Sequence, residues 1–146
     1  MAEIDRLSAE VVDAALRIHR DLGPGLLESV YETVLAASLE RAGWKADRQK
    51  PVAITFEGLH FPAAFRADLI VDDRLVVEIK SVEQLTRVHG KQLLTYLRLL
   101  NQPVGLLLNF GGETMKSGIR RVVNGYEPAA GRSASPRLRV KNDYGD

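Results

Sequence analysis

The stretch "FRADLIVDDRLVVEIKS", Phe65–Ser81, decides how the chain is read. Apolar and polar residues alternate as in a β-hairpin that turns at Asp72-Asp73. Asp68, Glu78 and Lys80 nevertheless stand inside the apolar runs. The length of the turn decides where those charges go, because side chains alternate along a strand and a one-residue slip moves each to the opposite face. A two-residue loop, Asp72-Asp73, sets Asp68 against Val77 and sends Glu78 and Lys80 to the other side of the sheet. A three-residue loop, Asp72-Asp73-Arg74, or an equivalent bulge, sets Asp68 directly across from Glu78, with Cβ atoms about 4.5–5.5 Å apart. Two carboxylates at that distance repel unless something positive sits between them. Lys80, two residues beyond Glu78 on the same face, is one candidate. A divalent cation, which prefers hard oxygen ligands, is the other. Acid–lysine salt bridging is the plainer reading of the triplet taken alone.

Working outward, the flanking sequence supplies a frame for that hairpin. Val11, Ala15, Ile18 and Leu22 recur at helical spacing and predict a helix over 8–22, with Ser8 as N-cap and Gly23 as a left-handed ending before Pro24. A second helix is expected from about Leu26 to Ala42, burying Leu27, Tyr31, Val34, Leu35 and Ala42. "PVAITFEG" reads as a strand that turns at Glu57-Gly58 into "LHFPAAFRADLIV", where Pro62 implies an edge, bend or bulge. With "LVVEIKS" these strands form a three-stranded antiparallel meander. Ser81 and Gln84 fit a capping box that opens a third helix, Ser81 to Leu100. "PVGLLLNF" is a continuous apolar run, as in a strand covered on both faces. The third helix therefore joins two parallel strands in a βαβ unit, with a last strand near Ile119–Val123. From Asn124 the chain turns rich in Gly, Pro, Ser and Arg, which predicts a mobile tail over 124–146.

Composition sets the bounds. The chain of 146 residues suits one domain with a sizeable core. A net charge of +1 names no partner. The absence of cysteine removes disulfides and thiolate metal sites and fits a reducing, cytoplasmic setting. No signal peptide and no run of about 18 apolar residues is visible, so no membrane span is expected. No G-x-x-x-x-G-K-[ST] phosphate loop occurs, and Gly23-Pro24-Gly25 reads as a helix–helix turn. His19 reads as a packing or hydrogen-bonding histidine; His60 and His89 are equally plain. Lys116, Arg120, Arg121, Arg132, Arg137, Arg139 and Lys141 face only Glu127 in acidity, which suits a phosphate-binding arm or a solvated tail.

Two further positions bear on the hairpin acids. Gln92 interrupts the stripe Leu85, Val88, Tyr96, Leu99, and a buried amide without a partner costs about 1–3 kcal/mol. A partner on the strand of Glu78 and Lys80 is geometrically natural. Glu28 and Tyr31 share one edge of the second helix, where Glu28 also suits the helix N-terminus.

"IHRDLGPGLLESVYE", Asp68, "EIK" at 78–80 and "QLLTY" at 92–96 occur in that order. Together they resemble the GxxExxY proteins of the PD-(D/E)XK nuclease superfamily, over about residues 4–123. "QLLTY" looks like the Q-x-x-x-Y motif of that superfamily's exonuclease branch. Ala67 stands where the proline of the superfamily's name would be. The resemblance implies a restriction-endonuclease-like α/β fold with a mixed sheet flanked by helices, occupying 1–123. It implies a nuclease that uses Mg²⁺ or Mn²⁺ on DNA or RNA. Asp68, Glu78 and the Ile79 carbonyl would hold the metal, with Glu28 acting through water or on a second ion. Lys80 would orient or deprotonate the attacking water and offset phosphate charge. Gln92 and Tyr96 would hold Lys80, the water or a phosphate. A catalytically silent module that binds nucleic acid or a protein, and a structural protein with an internal salt-bridge network, are the alternatives. A protein partner or a homo-oligomer fits the small size of the chain.

Overall fold

The computed structural model describes residues 3–125, and nearly all of the expected tail over 124–146 lies outside them. The elements are α1 (Glu3–Leu22), α2 (Glu28–Arg41), β1 (Ala46–Phe56), β2 (Leu59–Val71), β3 (Leu75–Lys80), α3 (Arg87–Leu100), β4 (Val104–Asn109) and β5 (Ile119–Val123). They form a five-stranded sheet in the order β1-β2-β3-β4-β5. The meander β1-β2-β3 is antiparallel, β3 and β4 are parallel across α3, and β5 returns antiparallel to β4. The expected meander and βαβ unit are both present.

Alternation along the strands builds two cores. Leu69, Val71, Leu75, Val77 and Ile79 pack with Val11, Ala15, Tyr31 and Leu35, so α1 and α2 cover one face. Ile70, Val76 and Leu107 pack with Leu93, Leu94 and Leu97, so α3 covers the other. β4 is buried at every residue, as its unbroken apolar run required. Removing a leucine from the floor of either layer, Leu106→Ala for instance, is expected to cost about 2–5 kcal/mol in urea unfolding.

Helix starts differ from the sequence reading. α1 begins at Glu3, and Ser8 is a buried residue inside it rather than its cap. Leu7 continues the buried stripe beyond the expected start, and Ile4 extends it further, so the core lengthens the helix. α3 begins at Arg87, not Ser81. Thr86 is its N-cap and pairs with His89 in a capping box, in place of Ser81 and Gln84. The helix ends conform better. Gly23 adopts φ 78°, and its N–H donates to the His19 carbonyl at 2.8 Å, the simple left-handed ending. The register of β1 on β2 shifts between Val52 and Ile54, opposite Pro62, where an edge, bend or bulge is expected.

Candidate nuclease site

The β2–β3 pairing runs Val71↔Leu75, Ile70↔Val76, Leu69↔Val77, and there it stops. Asp72-Asp73-Arg74 is thus a three-residue loop, with Asp72 and Asp73 at φ 55° and 59° and the Arg74 N–H donating to the Val71 carbonyl. The next residues in register are Asp68 and Glu78, which fulfils the odd-loop condition. Side chains take over where the main-chain ladder ends. Ile79 N–H donates to Asp68 Oδ2 at 2.8 Å, and Asp68 N–H donates to Glu78 Oε1 at 3.3 Å. Strict alternation also breaks here, since Ala67 packs in the α3 layer and Leu69, two residues on, in the α1–α2 layer.

Glu78 is buried, 8% exposed, and Asp68 is half-buried. Burial, and then the neighbouring Asp68 charge, push the Glu78 carboxyl up to about 8. Lys80 is half-buried one step beyond, and its charge partly opposes that rise. Among the described residues no ion pair joins Lys80 to either acid, so the plain salt bridge is not what occupies this corner.

Glu28, at the N-terminus of α2, reaches the end of β3. Its Oε2 accepts the Ser81 N–H at 3.3 Å, while Ser81 Oγ donates to the Leu26 carbonyl at 2.7 Å. Glu28 is exposed on an open groove of about 700 Å³ lined also by Gly25, Leu27, Ser81, Glu83 and Gly111. Tyr31 does not join it. Its hydroxyl donates to the Gly23 carbonyl at 2.6 Å and accepts the Leu26 N–H at 3.1 Å, and its ring stacks on Phe110 at 4.4 Å. The tyrosine therefore fastens the turn that carries Glu28. Tyr31→Phe is expected to lower the unfolding free energy of the metal-free protein by about 1–3 kcal/mol, measured in urea, because the hydroxyl's two main-chain bonds, to Gly23 and Leu26, are lost at about 0.5–1.5 kcal/mol each.

The loops after β3 and β4 are locked together. Asn109 is buried; its Oδ1 accepts the Val82 N–H at 2.9 Å and its Nδ2 donates to the Val82 carbonyl at 2.9 Å. Gly111 lies so close that a Cβ there would stand 2.4 Å from the Val82 oxygen, so only glycine fits. His19, as expected, is a buried hydrogen-bonding residue, 3.0 Å from the Gly112 carbonyl through Nε2.

α3 presents a mixed result. Tyr96 stacks on Phe65 at 3.9 Å, and burial, followed by the Glu78 and Asp68 charges, raises its hydroxyl above the usual range. Gln92 is exposed, as are Val88 and Leu99; the buried arc is Gly90, Leu93, Leu94 and Leu97. The inference that Gln92 is a buried amide in need of a partner is therefore overturned. His89, which looked plain in sequence, stands beside Lys80: burial and the Lys80 and Arg120 charges hold its imidazole below the usual range. Its spacing from Gln92 and Tyr96, three and seven residues, was the available signal.

Two further residues were missed. Gln49 of β1 lies on the other side of Asp68, between the pairs Arg48↔Leu69 and Lys50↔Ala67, and donates to Asp68 Oδ1 at 3.1 Å. Glu32 of α2, 5% exposed, accepts from Gln49 Nε2 at 2.7 Å and from Arg48 Nε at 3.0 Å. Two of the seven basic residues read as an arm are engaged internally. Arg120 donates to the Thr86 carbonyl at 2.9 Å, and Arg121 pairs with Asp5 at 3.0 Å.

A mixed five-stranded sheet covered by three helices, with an acid and an E-x-K brought together where a hairpin opens, is the α/β arrangement of restriction-endonuclease-like proteins. Residues 5–122 match the PD-(D/E)XK nuclease superfamily, and the chain belongs to that superfamily. No curated protein and no solved structure gives a significant match. Among the described residues no helix is long and apolar enough to cross a membrane. Nor, among them, does any group of three or more His, Cys, Asp or Glu side chains converge in a way that could hold a metal ion.

Proposed function

We propose that this protein is a Mg²⁺- or Mn²⁺-dependent nuclease of the GxxExxY group, hydrolysing phosphodiester bonds of DNA or RNA in the cytoplasm. The observation that carries this reading is the meeting of Asp68 and Glu78 where the β2–β3 ladder ends, with the Glu78 carboxyl raised to about 8 by burial and by Asp68. Such a pair favours a proton or a cation between its oxygens. Mg²⁺ is commonly held by only one or two carboxylates with waters in its remaining positions, so a pair of acids and a main-chain oxygen is a chemically suitable set. Asp68, Glu78 and the Ile79 carbonyl would hold the ion, and Glu28 would act through a water. When bound, the ion polarises a phosphate oxygen and acidifies a water.

The chain's own residues do the rest. Lys80, free of an ion pair to the acids, offsets phosphate charge and orients the attacking water. Tyr96, within range of the charges of both acids, supplies a hydroxyl to the water or a phosphate. Gln92, exposed on the same helix, is available to the nucleic acid rather than to the core. The basic residues Arg132, Arg137, Arg139 and Lys141, which lie outside the described residues, would supply phosphate contacts. Deleting 125–146 should weaken nucleic-acid binding and make the log-affinity against log-salt slope shallower; an unchanged slope assigns these residues to solvation.

Among the described residues no third acid or histidine joins Asp68 and Glu78, which favours one second reading, a silent nuclease-fold module that binds without cutting. One titration separates the two. Under the first reading Mn²⁺ raises the melting temperature of the wild type, Asp68→Asn removes most of that rise, and the metal-loaded wild type cleaves single-stranded, double-stranded or structured substrates. Binding of Mn²⁺ with all three substrates left intact overturns the nuclease reading.

A further inference from the structure

Asp68 is gripped from both sides, and the grip on its outer side comes from a residue with no place in the mechanism so far. Gln49 Nε2 donates to Asp68 Oδ1 at 3.1 Å while Ile79 N–H donates to Oδ2 at 2.8 Å. The carboxylate is therefore fixed at both oxygens. Gln49 is fixed in turn, because the same nitrogen donates to Glu32 Oε1 at 2.7 Å. An amide nitrogen carries two hydrogens, and both neighbours are carboxylates, so the orientation of the amide is decided by chemistry: only the nitrogen suits the shared position.

The far end of the relay is anchored. Glu32 is buried on α2, and Arg48 offsets its charge through Nε at 3.0 Å, with Arg48 itself tied to Thr33 Oγ1 at 2.8 Å. Gln49 thus joins the α2 layer to Asp68 across the edge of the sheet. Its backbone adopts φ 50°, a left-handed conformation that a non-glycine residue in a strand rarely takes. The pairs on either side, Arg48↔Leu69 and Lys50↔Ala67, keep one register, so the unusual φ accompanies no inserted residue. What the local twist achieves is the aim of the side chain. A neutral donor also suits the position: a lysine would bring a charge that competes with a bound cation, and a glutamate would repel Asp68.

We propose that Gln49, anchored by Glu32 and Arg48, is a positioning residue that holds the Asp68 carboxylate in its metal-binding orientation. This rests on the reading of Asp68 as a metal ligand. Outer partners of a metal ligand typically contribute about 10- to 100-fold in metal affinity.

The test uses the full chain with Mn²⁺ alone as probe. Mn²⁺ affinity by calorimetry and metal-free melting temperature are measured for the wild type, Asp68→Asn, Gln49→Leu and Gln49→Gly. Glycine accepts φ 50° without strain, so Gln49→Gly removes the amide while easing the backbone and carries the test even where Gln49→Leu does not fold. The expected result is Mn²⁺ affinity lower by about 10- to 100-fold in both Gln49 variants, with metal-free Gln49→Gly still unfolding in one cooperative transition. Asp68-dependent Mn²⁺ binding in the wild type with unchanged affinity in Gln49→Gly overturns the positioning role and leaves the metal site standing. A wild type that shows no Asp68-dependent Mn²⁺ binding overturns both.

Discussion

Lys80→Ala is expected to slow metal-dependent phosphodiester cleavage by about 100- to 10,000-fold while leaving Mn²⁺ binding close to wild type. Lys80 follows Glu78 by two residues on β3, so its side chain leaves the sheet on the same face. It is half-buried, and its charge is felt by both Glu78 and His89, yet no ion pair with Asp68 or Glu78 consumes it. A cation placed there and not neutralised by the acids is available to a phosphate and to the water that attacks it. Single-turnover cleavage at saturating Mn²⁺ reads the loss, and calorimetry checks that the metal is still held. Lys80→Arg divides the role further. A guanidinium keeps the charge but does not accept a proton, so a rate near that of alanine assigns proton transfer to Lys80, and a rate near wild type assigns charge alone. Cleavage by Lys80→Ala at the wild-type rate removes the residue from the mechanism. Asp68→Asn should remove most of the metal binding and, with it, cleavage, because a neutral amide is a poor ligand for a hard cation.

The hairpin was legible because two independent constraints meet in it. Alternation fixes which residues share a face, and the turn length fixes which face meets which, so the pairing of Asp68 with Glu78 follows once three residues form the loop. The start of α3 was not legible, for a reason that lies outside the segment. Ser81 and Gln84 satisfy a capping pattern locally, but Asn109 takes the Val82 N–H and carbonyl, and Arg120 takes the Leu85 and Thr86 carbonyls. Those bonds keep 81–86 out of the helix until Thr86 can cap it. Gln92 failed for a related reason. Two overlapping apolar arcs run along α3, and packing against Val76 and Leu107 selects Leu93, Leu94 and Leu97. The Glu32–Gln49–Asp68 relay joins three successive elements through side chains 17 and 19 residues apart, beyond the reach of any helix or strand period, and a polar "DRQK" in an edge strand gives no sign of it.

The motif around Glu28 has a divided purpose that sequence spacing alone does not reveal. Glu28 and Tyr31 stand three residues apart, which suggested a shared edge facing one site. Instead the tyrosine closes the Gly23–Leu26 turn from inside, and the glutamate meets Ser81 from outside. The apolar and aromatic parts of the segment thus set where α2 begins, and that start sets how far Glu28 reaches toward the end of β3. Tyr31→Phe accordingly tests stability, whereas Glu28→Gln tests chemistry.

Metal-free wild type is expected to lose stability as pH rises from about 4.5 to about 8, and Glu78→Gln is expected to abolish that loss. The folded chain holds the Glu78 proton up to about 8, chiefly because of burial and secondly because of Asp68, whereas the unfolded chain releases it near the ordinary 4.5. Below the lower value both states are protonated at this site and the contribution is complete. Between the two values the folded state binds the extra proton, so the unfolding free energy falls with pH, by at most about 1.4 kcal/mol per unit. Above the higher value both states are ionised and the slope ends. The accumulated difference is on the order of a few kcal/mol, large against a total stability of about 5–15 kcal/mol. His89 acts in the opposite sense, since its imidazole is held below its usual range in the folded state, but it is common to both proteins and cancels in their difference. Urea unfolding with a chelator at pH 5, 7 and 9 gives the comparison. The gap between Glu78→Gln and wild type should widen in favour of the variant as pH rises. Addition of Mn²⁺ should close it, because a cation held by the ionised pair relieves the repulsion that the proton otherwise removes. Parallel pH profiles for the two proteins would show that Glu78 does not carry a displaced proton, and would withdraw the electrostatic support for a cation between it and Asp68.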